Sequence, residues 1–193
     1  MTDEKNLLLE LAAQEVAPHE LELVKELLTL PPSEIPGELP TECVEEVPMV
    51  EPSVLEVKQT DVRGQLAAMS MAQKLKAAMT GNSIVRRLLV LDASRLIQEC
   101  VLNNPKLGMN EIEDFARNPN MNAQALRGIS SRSTWMRTYK VKLNLVLNPK
   151  CPADLSLRWL RFLHDADVKI IARSKNIPQV LQVAAKKKLS EKA

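Results

Sequence analysis

The stretch LVLNPKCPADLSLRWLRFL, residues 145–163, interrupts an apolar run at Asn148-Pro149. The stretch CVLNNPKLGMNEIEDFA, residues 100–116, contains the same interruption at Asn104-Pro105. A proline disfavours the helical conformation of the residue before it, and an asparagine side chain bonds the backbone nearby, so Asn-Pro predicts a corner between two helices. Because the corner recurs, we expect the helices that it joins to recur as well.

Between the corners, apolar residues recur at the spacing of amphipathic helices. The chain has 193 residues, of which 45% are hydrophobic, but its aromatic residues are limited to two Trp, one Tyr and two Phe. Leu, Val, Ala and Met therefore supply most of the core, which favours packed helices over strands. The array is predicted to begin near Gln65, with Ser70 and Asn82 or Ser83 as N-caps and Gly81 as a left-handed helix end. About eight short helices joined by short linkers are typical of an all-α protein with an α-solenoid or a compact helical array.

The corners NNPKL, RNPNM, LNPKCPADL and RSKNIPQVL resemble the Asn-Pro-x-x-Pro turn before a leucine-bearing helix in leucine-rich repeat variant and HEAT-like bacterial repeat proteins. The resemblance covers about residues 84–189 and implies a helical-repeat fold. The repeats are degenerate, because the corners are 14, 30 and 26 residues apart and the second proline is present only as Pro152, with Gly108 and Asn122 in the corresponding places. Some leucine-rich repeat variant proteins carry an iron–sulfur cluster in a cysteine-rich segment. This sequence lacks such a segment, so no cofactor is expected.

Charge divides the chain into two parts. Residues 1–61 contain 15 acidic and 3 basic residues, whereas residues 62–193 contain 9 acidic and 23 basic ones. Six prolines lie within residues 31–52, and each removes a backbone donor. We therefore predict short acidic amphipathic helices over residues 1–30, a Pro- and Glu-rich linker over 31–61, and a basic helical-repeat domain over 62–193. The acidic arm is expected to be partly disordered.

The acidic arm carries one apolar stripe that suits a protein contact. Its members recur at helical spacing, opposite Glu22 and Glu26. The arm is either a solvating spacer or a tethered segment that lies on the basic domain or binds a partner. The predicted interaction residues are Leu21, Val24, Leu27 and Leu28.

Basic residues cluster in the second half of the array, interleaved with Trp135, Tyr139 and Trp159. This pattern suits a phosphate backbone, an acidic protein or a solvated face. One helix predicted over residues 133–147 places the first two aromatic rings in the core, with Lys142 on the same face, so its ammonium must reach solvent, a carboxylate or a ring face. The terminal KKKLSEK is predicted to be an exposed basic tail. The predicted binding residues are Arg127, Arg132, Arg137, Lys140, Lys142, Lys150, Arg158 and Arg161.

No pattern in the sequence indicates catalysis or a metal site. His19 and His164 have no serine or cysteine at the spacing of a nucleophile and its base. The segment HDAD, residues 164–167, is either a fragment of a metal site or, as we favour, a helix start capped by Asp165. A glycine-rich phosphate loop and an HExxH element are both missing. We therefore predict a protein that is not an enzyme.

Cysteine usage and the N-terminal sequence predict a reducing compartment. Cys43, Cys100 and Cys151 are odd in number and widely separated, which does not suit a disulfide framework or a zinc site. Cys100 and Cys151 lie in or beside apolar helices and are expected to be buried thiols. The N-terminus lacks the basic start of a secretory signal, and no apolar run approaches the ~20 residues of a membrane span. We expect a cytoplasmic protein without membrane insertion.

Two functions remain open. The favoured one is a noncatalytic adaptor that binds an acidic protein partner on the basic solenoid surface and uses the N-terminal helices as a second interaction segment. The alternative is DNA or RNA binding through phosphates, modulated by the acidic arm. The adaptor is favoured because the sequence has no known nucleic-acid motif and its aromatic residues are predicted to lie in the core.

Overall fold

The computed structural model describes residues 2–31, 34–35, 39–44 and 62–191. These residues are helical or lie in turns between helices, and none of them is in a strand. The all-α class is therefore confirmed. Residues 45–61, which make up most of the predicted linker, lie outside the described residues. The solenoid arrangement and the disorder of the acidic arm stay predictions.

The chain divides into two compact units, Met1–Leu107 (unit 1) and Gly108–Ala193 (unit 2). This boundary differs from the change of charge near residue 61, so the division into residues 1–30, 31–61 and 62–193 stays a prediction. The helices of unit 1 are α1 (Thr2–Glu15), α2 (Pro18–Thr29), α3 (Thr41–Val44), α4 (62–68), α5 (Met71–Thr80), α6 (Ser83–Leu89) and α7 (Arg95–Leu102). The helices of unit 2 are α8 (Met109–Arg117), α9 (Ala123–Ser131), a 3-10 turn (Trp135–Arg137), α10 (Tyr139–Leu147), α11 (Ala153–Leu160), α12 (Asp165–Arg173) and α13 (Gln179–Ser190).

In unit 1 the acidic helices pack against the helices that follow them. Helix α1 contacts α2 and α7, and α2 contacts α5, whose Leu75 is fully buried. Glu15 accepts hydrogen bonds from the Arg95 and Leu96 amides at 3.1 and 3.2 Å and from Ser94 Oγ at 2.5 Å. Amides at the N-terminus of α7 have no partner within the helix, and the positive end of a helix favours an anion. The end of α1 is therefore fixed to the start of α7 by a carboxylate.

Two predicted helix starts are confirmed. Ser70 and Gln73 form a reciprocal capping box at α5, in which the Gln73 amide donates to Ser70 Oγ at 3.4 Å and the Ser70 amide donates to Gln73 Oε1 at 3.0 Å. At α6, Asn82 Oδ1 accepts from the Val85 amide at 3.1 Å. Each side chain supplies an acceptor to a helix-terminal amide that has none within the helix.

Two other helix ends differ from the prediction. Gly81 has φ −64° and ψ 162°, so it is not left-handed. The glycine is required by space, because a Cβ atom there would lie 2.3 Å from the carbonyl oxygen of Ala77. At α12 the N-cap residue is His164, without a side-chain cap bond, and Asp165 is the first helical residue. Asp165 therefore places its charge near the helix N-terminus but is not the N-cap residue.

The Asn-Pro corners form the local bonds that the sequence predicts. The Oδ1 atoms of Asn104, Asn118 and Asn148 each accept a hydrogen bond from the amide two residues later, at 2.8, 2.9 and 2.9 Å. Such bonds satisfy backbone groups that a helix would otherwise pair. Each corner is therefore stabilised by a backbone hydrogen bond to the side chain of its own asparagine.

Successive triplets of helices also share a longer contact that the sequence does not predict. The first and third helices of each triplet pack together: α5 with α7, α8 with α10, and α11 with α13. A side-chain N–H group near the end of the third helix then donates to a carbonyl in the last turn of the first. Asn104 donates to Ala78 at 2.9 Å, and Asn148 donates to Ala116 at 2.8 Å. These carbonyls lie in last turns, where the helix itself supplies no donor.

Lys188 makes the corresponding contact in the third triplet. Its ammonium donates to the carbonyls of Leu160, Arg161 and Leu163, at the end of α11, at 3.0, 3.0 and 2.8 Å. A lysine suits this place because a helix C-terminus carries partial negative charge. The prediction of an exposed basic tail is wrong for Lys188, because α13 continues to Ser190 and this side chain is half-buried.

Candidate binding surface

All eight basic residues predicted to bind a partner lie in unit 2, but carboxylates neutralise two of them. Arg127 of α9 forms a bidentate pair with Asp154 of α11, with N–O distances of 2.8 and 3.1 Å. Lys140 Nζ lies 3.8 Å from a carboxylate oxygen of Glu113. The hydrogen bond from Arg127 holds the pKa of Asp154 below its ordinary value. Arg127 and Lys140 are therefore less available to a partner than the sequence indicates.

The other six residues differ in their surroundings. Arg132 donates to the Gly128 carbonyl at 3.1 Å, and its guanidinium lies 4.7 Å from the ring centroid of Trp135. Within the described part of the chain, no carboxylate pairs with Arg137, Lys142, Lys150, Arg158 or Arg161.

The helix predicted over residues 133–147 is broken. Trp135 lies in a 3-10 turn, and Thr138 has an extended conformation with ψ 125° before α10 begins at Tyr139. Threonine is β-branched and favours helix ends over helix interiors, which suits this break. The prediction that Trp135 and Tyr139 share one helix face is therefore wrong. Tyr139 does pack against the core of unit 2, whereas Trp135 is half-buried beside Arg132.

Four side chains around the end of α11 form an aromatic cluster. Lys142 Nζ lies 5.8 Å from the ring centroid of Phe162, so the lysine meets a ring face, which is one of its three predicted outcomes. Phe162 lies 5.6 Å from Trp159, and the guanidinium of Arg158 lies 5.1 Å from Trp159. Trp159 Nε1 donates to Ser130 Oγ at 2.8 Å, whereas Phe162 is 59% exposed. The cluster thus presents one exposed ring between two cations.

Two adjoining pockets lie on α11. The larger, which we name the α11–α13 groove, has a volume of about 530 Å³. The smaller has a volume of about 460 Å³ and shares Leu157 and Arg161 with the groove. The groove is lined by Leu157, Leu160, Arg161, Ala184, Lys187, Lys188 and Glu191. The smaller pocket is lined by Asp154, Leu157, Arg158, Arg161 and Phe162.

Sequence reasoning found the arginines of this surface and missed most of the rest. Phe162 and Leu157 belong to an apolar pattern that indicates core, so the sequence carries no signal that Phe162 is exposed and that Leu157 is only half-buried. Lys187 was included only in the predicted tail, and nothing in the sequence placed Ala184 opposite α11. Ala184 and Lys187 line the groove because α13 packs against α11. The spacing of apolar residues within one helix does not predict which other helix it packs against.

The predicted interaction stripe of α2 is used within unit 1. Val24, Leu27 and Leu28 are buried, and Leu21 is half-buried. Helix α2 lies against α1 and α5. A partner could contact this stripe only if α2 separated from α1 and α5. The role of the N-terminal helices as a second interaction segment therefore stays a prediction.

His164 and Asp167 anchor the start of α12 rather than forming a nucleophile or metal arrangement. The ring of His164 stacks on Tyr139 with centroids 4.4 Å apart, the Tyr139 hydroxyl donates to Asp167, and the His164 amide donates to that hydroxyl at 3.1 Å. The pKa of Tyr139 is raised, mainly by loss of solvation and to a smaller extent by the hydrogen bond to Asp167. Among the described residues, no group of three or more His, Cys, Asp or Glu side chains could hold a metal ion.

The three cysteines are thiols in buried positions. Burial is the main cause that raises the pKa of Cys100 far above its ordinary value, and it also raises the pKa of Cys151. The prediction of buried thiols at Cys100 and Cys151 is confirmed. A raised pKa leaves little thiolate at neutral pH, so these sulfurs are poor nucleophiles.

Comparison of the chain with protein-family models, with curated proteins and with solved structures found no match. No helix in the described ranges is both long enough and apolar enough to cross a bilayer.

Proposed function

We propose that the protein is a noncatalytic adaptor that binds an acidic protein partner through the surface of α11 in unit 2. The observation that carries this proposal is the position of Arg158 and Arg161, which are exposed and line pockets together with Leu157 and Phe162. No carboxylate in the described part of the chain pairs with either arginine. Carboxylates of a partner would neutralise both guanidinium groups while its apolar side chains cover Leu157. Arginine and aromatic residues are enriched where protein interfaces gain most of their binding energy.

The proposed scaffold is a degenerate helical repeat of the HEAT-like kind. The contact shared by the three triplets supports it, because Asn104, Asn148 and Lys188 occupy equivalent places and are separated by 44 and 40 residues. Repeats in HEAT and armadillo proteins have a similar length of about 40–47 residues. The N-terminal helices do not enter the proposed binding surface, since α2 uses its apolar stripe inside unit 1.

A second candidate function is binding of DNA or RNA through phosphates. The aromatic cluster favours it, because the exposed ring of Phe162 suits stacking on a base while Lys142 and Arg158 suit phosphates. An acidic protein fits better because Trp159 is tied to Ser130 and leaves Phe162 as the exposed ring of the cluster.

Fluorescence anisotropy of the full chain separates the two functions. The probes are a labelled oligoglutamate peptide and labelled single-stranded and duplex DNA, each titrated over a salt series. We expect the peptide to bind, and we expect the double variant Arg158→Gln, Arg161→Gln to weaken it by about ten-fold. Arg173→Gln, which removes an exposed arginine outside both pockets, is the control and should bind like the unmodified chain. Tighter binding of DNA with a steep salt dependence would support the second function, and binding of neither probe contradicts both.

A further inference from the structure

The α13 side of the α11–α13 groove continues as an exposed apolar stripe. At about 100° per residue, Val180, Val183 and Ala184 lie on the same side of α13 as Lys187. Val180 and Val183 are 60% and 58% exposed, although both are aliphatic. Leu157 of α11 and Ala184 of α13 both line the groove, and Val180 and Val183 lie outside its lining. The apolar stripe from Val180 to Ala184 therefore extends over about 6 Å along α13, and the groove continues from Ala184 to Glu191 over about 10 Å, or two helical turns.

Cations flank this apolar surface on both helices. On the α11 side, Arg161 has no carboxylate partner in the described residues. On the α13 side, Lys187 lies 3.8 Å from Glu191, and their side chains are 75% and 64% exposed. An ion pair this exposed contributes little stability, so a carboxylate from a partner can replace Glu191. The groove thus combines an apolar floor with a positive charge on each rim.

The groove is also preformed. Lys188 donates to three carbonyls at the end of α11, which fixes the last turn of α13 to α11. Its ammonium is therefore committed to the fold, and Lys187 and Arg161 remain to meet a ligand. A groove that exists before binding requires little reorganisation when it is filled.

We propose that the α11–α13 groove binds an acidic amphipathic helix of the partner protein. The apolar face of that helix would cover Leu157, Ala184 and Val183, and its carboxylates would pair with Arg161 and Lys187. This inference rests on the proposed function and adds the form of the ligand. A helix suits the site because it presents apolar and acidic groups on adjacent sides over the two turns that the groove offers. Nucleic acid suits it less, because the exposed ring of Phe162 lines the neighbouring pocket and not the groove.

The test uses the full chain and two labelled peptides of about 15 residues, long enough to form a helix on binding. The first has leucine at every third or fourth position and glutamate elsewhere, and the second is a scrambled isomer with the same composition. We expect the ordered peptide to bind about ten-fold more tightly than its isomer, because only the ordered peptide forms an apolar face. A diazirine-bearing version of the ordered peptide should cross-link to α11 and α13.

Two variants of the chain locate the contact. Ala184→Phe fills the groove, and Lys187→Glu reverses the charge of one rim at an exposed position. Each variant should lower the affinity for the ordered peptide by about ten-fold. The matched controls are Ala166→Phe on α12 and Lys175→Glu before α13, which change exposed residues outside the groove and should leave affinity unchanged. Because Ala184 also packs against the core, tryptophan fluorescence must show that Ala184→Phe folds, and Lys187→Glu tests the site independently.

The outcomes distinguish this inference from the proposed function. Equal binding of the two peptides, with no effect of Ala184→Phe or Lys187→Glu, would overturn the helix-binding groove and leave a protein partner recognised by charge alone. Cross-links confined to other helices would overturn it as well. Self-association of the chain that Ala184→Phe abolishes would assign the groove to a second copy and contradict the inference. Failure of every acidic peptide to bind contradicts the proposed function itself.

Discussion

Replacing Asn148 by alanine should destabilise unit 2 far more than replacing Asn118, which forms the other Asn-Pro corner of that unit. Asn148 is 3% exposed, and its Nδ2 donates to the carbonyls of Ala116 and Asn118 at 2.8 and 2.9 Å. Its Oδ1 accepts from the Lys150 amide at 2.9 Å. Asn118, by contrast, is half-buried, and its side chain accepts one bond, from the Asn120 amide.

The expected loss follows from these bonds. Each hydrogen bond contributes about 1 kcal/mol net, and a buried carbonyl left without its donor costs about 1–3 kcal/mol. Asn148→Ala removes three bonds and leaves the Ala116 carbonyl without its side-chain donor, so we expect a loss of about 3 kcal/mol in the free energy of unfolding. Asn118→Ala removes one exposed bond that water can replace, so we expect about 0.5–1 kcal/mol.

Urea unfolding followed by tryptophan fluorescence measures these losses. Both tryptophans, Trp135 and Trp159, lie in unit 2, so their emission reports that unit. The midpoint should fall with an unchanged slope if the variants alter stability alone. Equal losses for Asn148→Ala and Asn118→Ala, or a loss below about 1 kcal/mol for Asn148→Ala, would refute the idea that the corner holds α8 to the end of α10.

Three further predictions use the same logic at other places. Lys188→Met keeps the length of the side chain and removes three bonds to α11, so tryptophan fluorescence in urea should show a loss of about 2–3 kcal/mol; a loss no larger than that of Lys186→Met would contradict the cap. Gly81→Ala places a Cβ atom 2.3 Å from the Ala77 carbonyl oxygen and should lower stability by about 1–3 kcal/mol in circular dichroism melts, and an unchanged melt would show that the helix end adapts. Cys100 should resist iodoacetamide in the native chain and react after unfolding, because burial raises its pKa; rapid native alkylation, located by mass spectrometry, would contradict this.

Local chemistry in this chain could be predicted from sequence because its causes lie within a few residues. The caps at Ser70 and Asn82 depend on a side chain and an amide three residues apart. The corners at Asn104 and Asn148 depend on an amide two residues away. The helix break at Thr138 was missed because the apolar spacing continues across it. Periodicity reports which residues face the core, and it does not report where the backbone leaves the helix.

The candidate surface depended on causes that are distant in sequence. Arg127 is paired with Asp154, which is 27 residues away, whereas Arg161, which is also an exposed arginine, forms no ion pair with a carboxylate among the described residues. Composition alone does not distinguish these two arginines. Packing decides between them, because Asp154 in the first turn of α11 reaches Arg127 of α9, whereas Arg161 forms no ion pair among the described residues, although Asp154 and Glu191 line the pockets next to it. A charge count therefore predicts an excess of basic residues, and it does not predict which of them the fold pairs with carboxylates.

The irregular spacing of the corners has a structural reason. The corner at Asn118 lies inside a triplet, between α8 and α9, whereas Asn104 and Asn148 follow the third helices of their triplets. Only the latter two donate to the first helix, and in the next triplet Lys188 makes this contact from within α13. The last-turn carbonyls require an N–H donor at the right distance, and both an amide and an ammonium supply one. The contact between the first and third helices of a triplet therefore does not depend on one residue type, and in the last triplet it forms without an Asn-Pro corner.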